Sequence, residues 1–322
     1  MRILFTGASG FSGFHLAKSL AAQGHEVICT LQRDLASYTQ LRGQRVKALQ
    51  GIVRLAEGMT FGEEPFLELI RQSAPLDLLC HHAADVTNYQ SPDFDPFRAL
   101  KNNTHKLTDV LSRLKQAGTA AIVLTGTHFE PNEGKGDELL RAVSPYGLSK
   151  GLTWEMFRYY CHISGVPLAK FVMPTPFGPW EFAPSEGRGF TSYLMGMWKD
   201  GKPAQVKTPD YVRDNCHISL IALSYGAFAQ RALSRCRESI KINPSGYVEK
   251  QGDFADRVAR EVSVRTGWRC EVQKVEQKDF SQPLIRTNFE PAAAQFPEWI
   301  EARAWDEFVQ FYCASPNQTP LH

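Results

Sequence analysis

The sequence predicts an α/β protein, a doubly wound parallel sheet with a smaller C-terminal lobe, on three observations. Short apolar runs alternate with amphipathic stretches through the first two-thirds of the chain, the rhythm of strands joined by crossover helices. Glycines at 7, 10 and 13 sit between the first of those runs and the first of those helices. After Pro174 the texture changes to TPFGPWEFAPSEGRGF, rich in proline, glycine and aromatics, which breaks the alternation. A chain of 322 residues is long enough for one sheet domain with a satellite lobe.

Taken in order, RILFT is the first strand and Ser12 to Gln23 the first helix. EVICTL and DLLCHHA are further strands, followed by a long helix from about Phe97 to Gln116 and the strand AAIVLT. A second long helix from about Tyr146 to Ser164 leads into the strand LAKFVMP. In such a sheet, ligands gather at the carboxyl ends of the strands. YVRDNCHIS and KINPSGYV read as returns to the core, and Asp253 to Tyr312 mixes short helices with prolines. The expected division is residues 1–177 with about 211–244 in the sheet domain, and about 178–210 with 245–322 in a lobe folded over its ligand edge. The tail SPNQTPLH reads as loose.

Composition removes several function classes. Lysine and arginine number 36 against 34 acids, a net charge of +2 that gives no nucleic-acid or membrane-surface footprint. The expected partner is therefore a small molecule. The seven cysteines (29, 80, 161, 216, 236, 270 and 313) form no CxxC pair, and no histidine cluster has metal-ligand spacing, so no metal is expected. The chain opens on a strand without a charged leader, and no run of about 18 apolar residues occurs. The expectation is a cytoplasmic protein with no membrane association.

In RILFTGASGFSGFHLAKSL, Gly7 permits a tight turn and Gly10 lets backbone amides approach a pyrophosphate. Gly13 lets the helix pack close to the strand. With a strand before and a helix after, this is a Rossmann-type dinucleotide-binding turn, in which Ser9, Phe11 and Ser12 also face the cofactor. The end of the second strand bears on which dinucleotide. A carboxylate there serves a ribose 2′-hydroxyl, but EVICTLQRD offers Thr30, Leu31 and Gln32 and then Arg33. Arg33 suits a 2′-phosphate, which favours NADP; a solvated Arg33 with Asp34 turned to the ribose leaves NAD open.

SPYGLSK places Tyr146 and Lys150 four apart at a helix start, so that they share a face. An ammonium beside a phenol stabilises tyrosinate and brings its pKa down from about 10. Such a pair can move the proton of a carbonyl oxygen. About twenty residues earlier, the strand AAIVLT runs into TGTHFE, which offers hydroxyls at its carboxyl end.

Together these features resemble the extended short-chain dehydrogenase/reductase family, the branch of nucleotide-sugar epimerases, dehydratases and 4-ketoreductases. The likeness runs from Arg2 to at least Asn243. TGASGFSG matches the cofactor turn, and Ala83 and Ala84 of HHAAD stand at the alanine pair after the fourth strand. Asn103 sits at the structural asparagine of the following helix. Thr127 falls at the catalytic Ser/Thr, Tyr146 and Lys150 at the YxxxK pair, and PFGP at the Tyr-Gly-Pro corner, with Pro174 just ahead of it. RDNCHIS and NPSG match later segments. The resemblance implies that Tyr146 is the acid/base, that Lys150 tunes it and holds the nicotinamide ribose, and that Thr127 donates to the substrate oxygen. The pattern is broken in three places. Met59 and Thr60 replace an adenine-reading aspartate, Thr175 replaces the asparagine of the corner, and Ser219 ends the Arg-Asp segment in place of aspartate.

The same resemblance narrows the reaction. In 4,6-dehydratases an Asp-Glu pair follows the catalytic threonine; here His128 and Phe129 follow it, and Glu130, one place too late, is expected to face away. The leading expectation is NADP-dependent 4-keto reduction of a nucleotide-diphosphate sugar. The alternatives are a nucleotide-sugar 4-epimerase with bound NAD and a reductase of small non-nucleotide carbonyl compounds. Arg213 and Arg286 are the candidates to clamp a diphosphate, or else are surface or salt-bridged arginines. Asp85, Thr87, His128 and Thr175 are placed on the sugar side, with Asp85 alternatively a turn cap. The long helices, carrying Phe97, Leu100, Leu107, Val110, Leu111 and Leu114, then Leu152, Met156, Phe157 and Tyr160, either pair two copies as a homodimer or cover the sheet.

Overall fold

The computed structural model describes residues 1–181, 189–234 and 240–314. Residues 182–188 of the proline- and aromatic-rich segment, Cys236 and the tail from 315 lie outside the described residues.

In chain order, β1 (Arg2–Thr6), α1 (Phe11–Ala22), β2 (Glu26–Thr30), α2 (Gln40–Leu49), β3 (Arg54–Ala56) and α3 (Glu64–Gln72) form the first wing. The second wing is β4 (Leu78–His81), α4 (Pro96–Asn103), α5 (Leu107–Gln116), β5 (Ala121–Thr127), a short β6 (Lys135–Gly136), α6 (Pro145–Ser164) and β7 (Leu168–Met173). Next come β8 (Thr175–Phe177), α7 (Phe190–Lys199), β9 (Ala204–Val206), β10 (Val212–His217), α8 (Ile218–Ser234) and β11 (Ile240–Ile242). The remainder is β12 (Pro244–Ser245), β13 (Tyr247–Lys250), α9 (Gln251–Thr266), β14 (Val272–Lys274), β15 (Arg286–Thr287), β16 (Glu290–Pro291) and α10 (Glu301–Ala314).

Seven strands form one parallel sheet in the order β3-β2-β1-β4-β5-β7-β11. The chain moves outward from β1 to β3, then crosses back to β4 on the other side of β1. The carboxyl ends of β1 and β4 therefore flank the point where strand order reverses, the place where such sheets open a crevice. Strand alternation sorts the core. Ile3, Phe5, Val27, Cys29, Cys80, Val123 and Phe171 face α1 and α8, while Leu4, Ile28, Leu79, Ile122, Leu124 and Leu168 face α3, α5 and α6. Burial on both faces explains why these strands read as continuous apolar runs.

The structure changes one expectation and adds two features. The helix foreseen over 97–116 is two helices, because Lys106 turns left-handed at φ 46° and the His105 carbonyl packs into the space left by Gly62. The helices α2 and α3 went unassigned in the sequence, although α3 carries Glu64 and Pro65 in its first turn, a start signal. Finally β10, read as a return to the core, brings Cys216 to the cluster that faces α1 and α8 while pairing outside the main sheet, with β8 in parallel and β13 in antiparallel.

A third apolar cluster, around Phe177, Leu194, Trp198, Phe254, Val258, Trp305 and Phe308, is built from α7, α9 and α10 with β9. The chain enters it through β8, which follows β7, and leaves it through β10, which leads into α8.

Candidate functional site

The glycine turn joins β1 to α1 at that edge. Gly7 has φ +87°, and a side chain there would meet the Ala83 amide at 2.9 Å. At Gly13 an added carbon would lie 2.1 Å from the Gly7 carbonyl, so the first turn of α1 rests directly on the loop. A carbon at Gly10 would meet only that same carbonyl, at 3.4 Å, and otherwise project into open space. The first turn of α1 has no side-chain cap and no acidic residue. Free amide donors below open space are what an anionic pyrophosphate requires, so the residues fit a dinucleotide.

Behind the turn, Thr6 Oγ1 accepts from the amides of His82 and Ala83 at 3.1 and 3.0 Å. His82 then bonds Ser12 Oγ at 2.9 Å and Thr125 Oγ1 at 3.1 Å, tying the glycine turn to β5 across β4. Burial, with the nearby Lys150 charge, drops its pKa to about 3, so the ring is a neutral connector. Asn103 is spent internally, accepting from the Asp85 amide at 2.8 Å and donating to Thr153 at 3.3 Å, which fixes the loop after β4 against α6. Ala84 is half-buried in that loop, and Pro174 is buried between β7 and β8.

Ser144 caps α6 by accepting from the Gly147 amide at 3.1 Å, and the Val143 amide donates to the Phe129 carbonyl at 3.0 Å. These bonds bring the start of α6 against TGTHFE. Lys150 Nζ then reaches the Thr125 carbonyl at 2.6 Å, with Thr127 two residues farther along β5. Tyr146, one turn before Lys150, is half-buried with its ring edge-on to Tyr89 at 5.4 Å and Phe94 at 5.9 Å. Burial lowers Lys150 to about 8. The Tyr146 phenol is raised rather than lowered, by burial first and then by Glu130 and Tyr89. The lysine that was expected to bring it down is bonded to a backbone carbonyl, and burial dominates.

Several residues expected on the substrate side are committed elsewhere. Arg286, foreseen as a diphosphate clamp, is 1% exposed and donates to the carbonyls of His128, Glu130 and Arg141 at 2.6, 2.5 and 3.0 Å. Arg213 stacks on Tyr211 and donates to the carbonyls of Val212, Pro283 and Leu284 and to Gln282; burial lowers it to about 10. Both guanidiniums thus hold backbone in this structure. His128 is buried with Nδ1 on the Met173 carbonyl at 3.0 Å and does not line an open surface; burial takes its pKa to about 4. Asp85 caps Thr87 by accepting from its amide at 3.0 Å and pairs with Arg98 and Asn102. Thr87 itself is exposed, and Thr175 is half-buried on β8 opposite Asn215. Arg33 is exposed at the tip of β2, its guanidinium 4.7 Å over the Tyr38 ring.

Sequence reasoning missed three features: His82, the buried arginine Arg45, and the destination of Glu130. Arg45 is 0% exposed and donates to the Ser9 carbonyl at 3.1 Å and the Trp180 carbonyl at 2.7 Å. Glu130 turns inward onto Lys170 at 2.5 Å. The signal for the latter was a lysine inside an otherwise apolar strand, LAKFVMP.

Residues 3–226 match the model of the NAD dependent epimerase/dehydratase family. A UDP-glucose 4-epimerase from Lacticaseibacillus casei is 27% identical over 169 residues, 51% of this chain and 48% of the relative. A probable UDP-glucuronate 4-epimerase from Rhizobium meliloti (strain 1021) is 25% identical over 192 residues, 56% of this chain and 54% of the relative. The chain spans about half the length of these relatives. A UDP-glucose 4-epimerase structure from Stenotrophomonas maltophila, with bound NAD and formylated UDP-arabinopyranose, superposes with a TM-score of 0.75 at 18% identity, covering 98% of both chains. A UDP-glucuronic acid 4-epimerase from Bacillus cereus, in complex with UDP-glucuronic acid and NAD, gives 0.73 at 17% identity, covering 97% of this chain and 99% of that one. Among the described residues no helix is long and apolar enough to cross a membrane.

Proposed function

The chain belongs to the NAD dependent epimerase/dehydratase family, and we propose that within it the protein is a nucleotide-sugar 4-epimerase that keeps NAD bound. The observation that carries this reading is the arrangement at the end of β5. Lys150 is anchored on Thr125, Tyr146 lies one helical turn before it, and Glu130 is withdrawn into the interior, so no acid follows Thr127 into the site. That set can manage a proton and a developing alkoxide but offers no acid to expel a hydroxyl.

In this reading Tyr146 takes the proton of the sugar's C4 hydroxyl as C4 is oxidised, and returns it to the same oxygen when the C4–H bond is re-formed on the opposite face of the carbon. Thr127 donates to the same oxygen, and Lys150 holds the phenol's environment cationic. When bound, the nicotinamide supplies the hydride acceptor and donor. Gly7, Gly10 and Gly13 with Ser9, Phe11 and Ser12 hold the dinucleotide, Ala83 and Ala84 border it, and Thr175 borders the sugar. The lobe of α7, α9 and α10 closes over the substrate, residues 1–177 with 211–244 forming the cofactor domain. A cytoplasmic homodimer fits the exposed Phe97, Tyr159 and Ile163 on α4 and α6, at 76, 62 and 63%.

The 4-epimerase relatives and the NAD in their structural counterparts support this reading over reduction of a 4-keto sugar. The second reading, NADP-dependent 4-keto reduction, is favoured by Arg33, exposed over Tyr38 where a 2′-phosphate would lie. One experiment separates them. The dinucleotide carried by the purified protein is identified by mass spectrometry, and the protein is incubated with UDP-glucose, UDP-glucuronate, UDP-N-acetylglucosamine and the free sugars. Retained NAD and C4 epimers from a UDP-sugar support the first reading. NADPH consumption with a 4-keto sugar, and no epimer, replaces it with the second.

A further inference from the structure

We infer that the buried pair Glu130 and Lys170 is the positioning element of the acid/base site, fixing the Thr127 turn and setting the charge field around Lys150. This rests on the roles proposed above for Tyr146 and Lys150.

Glu130 Oε1 accepts from the Thr127 amide at 2.8 Å, and Oε2 takes Lys170 Nζ at 2.5 Å. Lys170 also reaches Glu133 at 2.7 Å, whose other oxygen takes Lys241 at 2.9 Å. Its ammonium lies 4.6 Å over the Trp154 ring. The side chains of Glu130 and Lys170 are 0 and 1% exposed.

The pair presses against the strand where the strand has no side chain. A carbon added at Gly126 would sit 2.6 Å from Lys170 Cε and 2.7 Å from Glu130 Oε1. On one side of that gap the Thr125 carbonyl receives Lys150, and on the other the Thr127 amide is received by Glu130. A cation and an anion thus bracket one short stretch of β5, carrying the two hydroxyl residues.

Stability alone does not account for this construction. A buried ion pair is roughly neutral or unfavourable against apolar side chains of the same volume, while loss of one partner strands a charge. What the pair supplies is a fixed local field. Its two charges act on Lys150 in opposite senses, Glu130 raising and Lys170 lowering its proton affinity. Of the other groups facing this region, His81 and His82 are held neutral by burial, Tyr89 lies against Tyr146, and Arg286 donates to the Glu130 carbonyl rather than its carboxylate.

The test reads Lys150 directly, by ¹³Cε NMR titration of the folded, cofactor-loaded protein, with the resonance assigned by Lys150→Met. Glu130→Gln is expected to lower the Lys150 midpoint by about one pH unit and Lys170→Met to raise it by about as much. The double variant, again locally neutral, returns it to within about half a unit of wild type. Midpoints unmoved in both single variants overturn the inference, as does a double-variant midpoint displaced by a unit or more. If the single variants do not fold by near-UV circular dichroism, the double variant is read at the Thr127 amide by ¹⁵N–¹H NMR: a resonance displaced by loss of its carboxylate acceptor supports the inference, and one unmoved from wild type overturns it. The pH dependence of turnover on a UDP-sugar is recorded in parallel. Lys150 shifts of the expected signs with no turnover on any sugar refute the epimerase reading and leave this inference standing; turnover with unshifted Lys150 does the reverse.

Discussion

Arg286 Nε donates to the backbone carbonyl of His128 across 2.6 Å, and this one bond fastens a C-terminal strand to the turn that carries Thr127. With the further acceptors Glu130 and Arg141, the guanidinium completes three buried or part-buried carbonyls. Arg286→Ala is therefore expected to destabilise the protein by about 2–4 kcal/mol in urea unfolding without any nucleotide sugar present. A diphosphate clamp would behave differently, raising KM for a UDP-sugar while leaving the ligand-free unfolding midpoint where it was.

Tyr146→Phe keeps the ring between Tyr89 and Phe94 and removes only the hydroxyl. Turnover is expected to fall by about 10²–10⁴, with the amount of dinucleotide retained on purification unchanged. Quantifying both in one preparation distinguishes a lost proton carrier from a lost fold.

Gly13→Ala places a carbon 2.1 Å from the Gly7 carbonyl, and neither backbone segment can yield without moving α1 off β1. A loss of at least about 2 kcal/mol follows, together with at least a tenfold weaker dinucleotide affinity by calorimetry. Wild-type affinity in this variant would show that the turn does not hold the cofactor.

Lys150 makes stability depend on alkaline pH. Burial sets its folded pKa near 8, below the ordinary value of about 10.4. Between those values the unfolded chain binds more protons than the folded one, so stability rises with pH through that window. Below about 8 both states are protonated and the burial penalty is fully felt. The difference in unfolding free energy between wild type and Lys150→Met is thus expected to shift in favour of wild type from pH 8 to 10. A flat difference would mean that Lys150 titrates with the same pKa in the folded and the unfolded chain.

What the sequence made legible was what is local. The glycine turn showed itself because strand, turn and helix needs fall within one short stretch, and the Tyr146 and Lys150 pair because helix geometry puts fourth neighbours on one face. The residues that escaped notice act at a distance. His82 bonds partners 70 and 43 residues away, and Lys170 finds Glu130 across 40. Arg286 was singled out for the right property and the wrong acceptor: a fork of donors suits carbonyls as well as phosphate oxygens, and only the packing of β15 against β6 decides between them. The break between α4 and α5 was hidden for a similar reason, since the packing of His105 on Gly62 overrides a continuous helical pattern.

Arg45 reaches back 36 residues to Ser9 and forward 135 to Trp180, while His15 bonds the Pro179 carbonyl at 2.9 Å. During synthesis, then, the N-terminal third emerges before residues 179 and 180, which supply the acceptor of the His15 ring and one acceptor of the Arg45 guanidinium. The bonds that tie α1 and Arg45 to that corner form only after residue 180 has left the ribosome. A nascent chain or truncated fragment that stops short of that corner lacks both of these bonds beside the glycine turn, however well its first strands have paired.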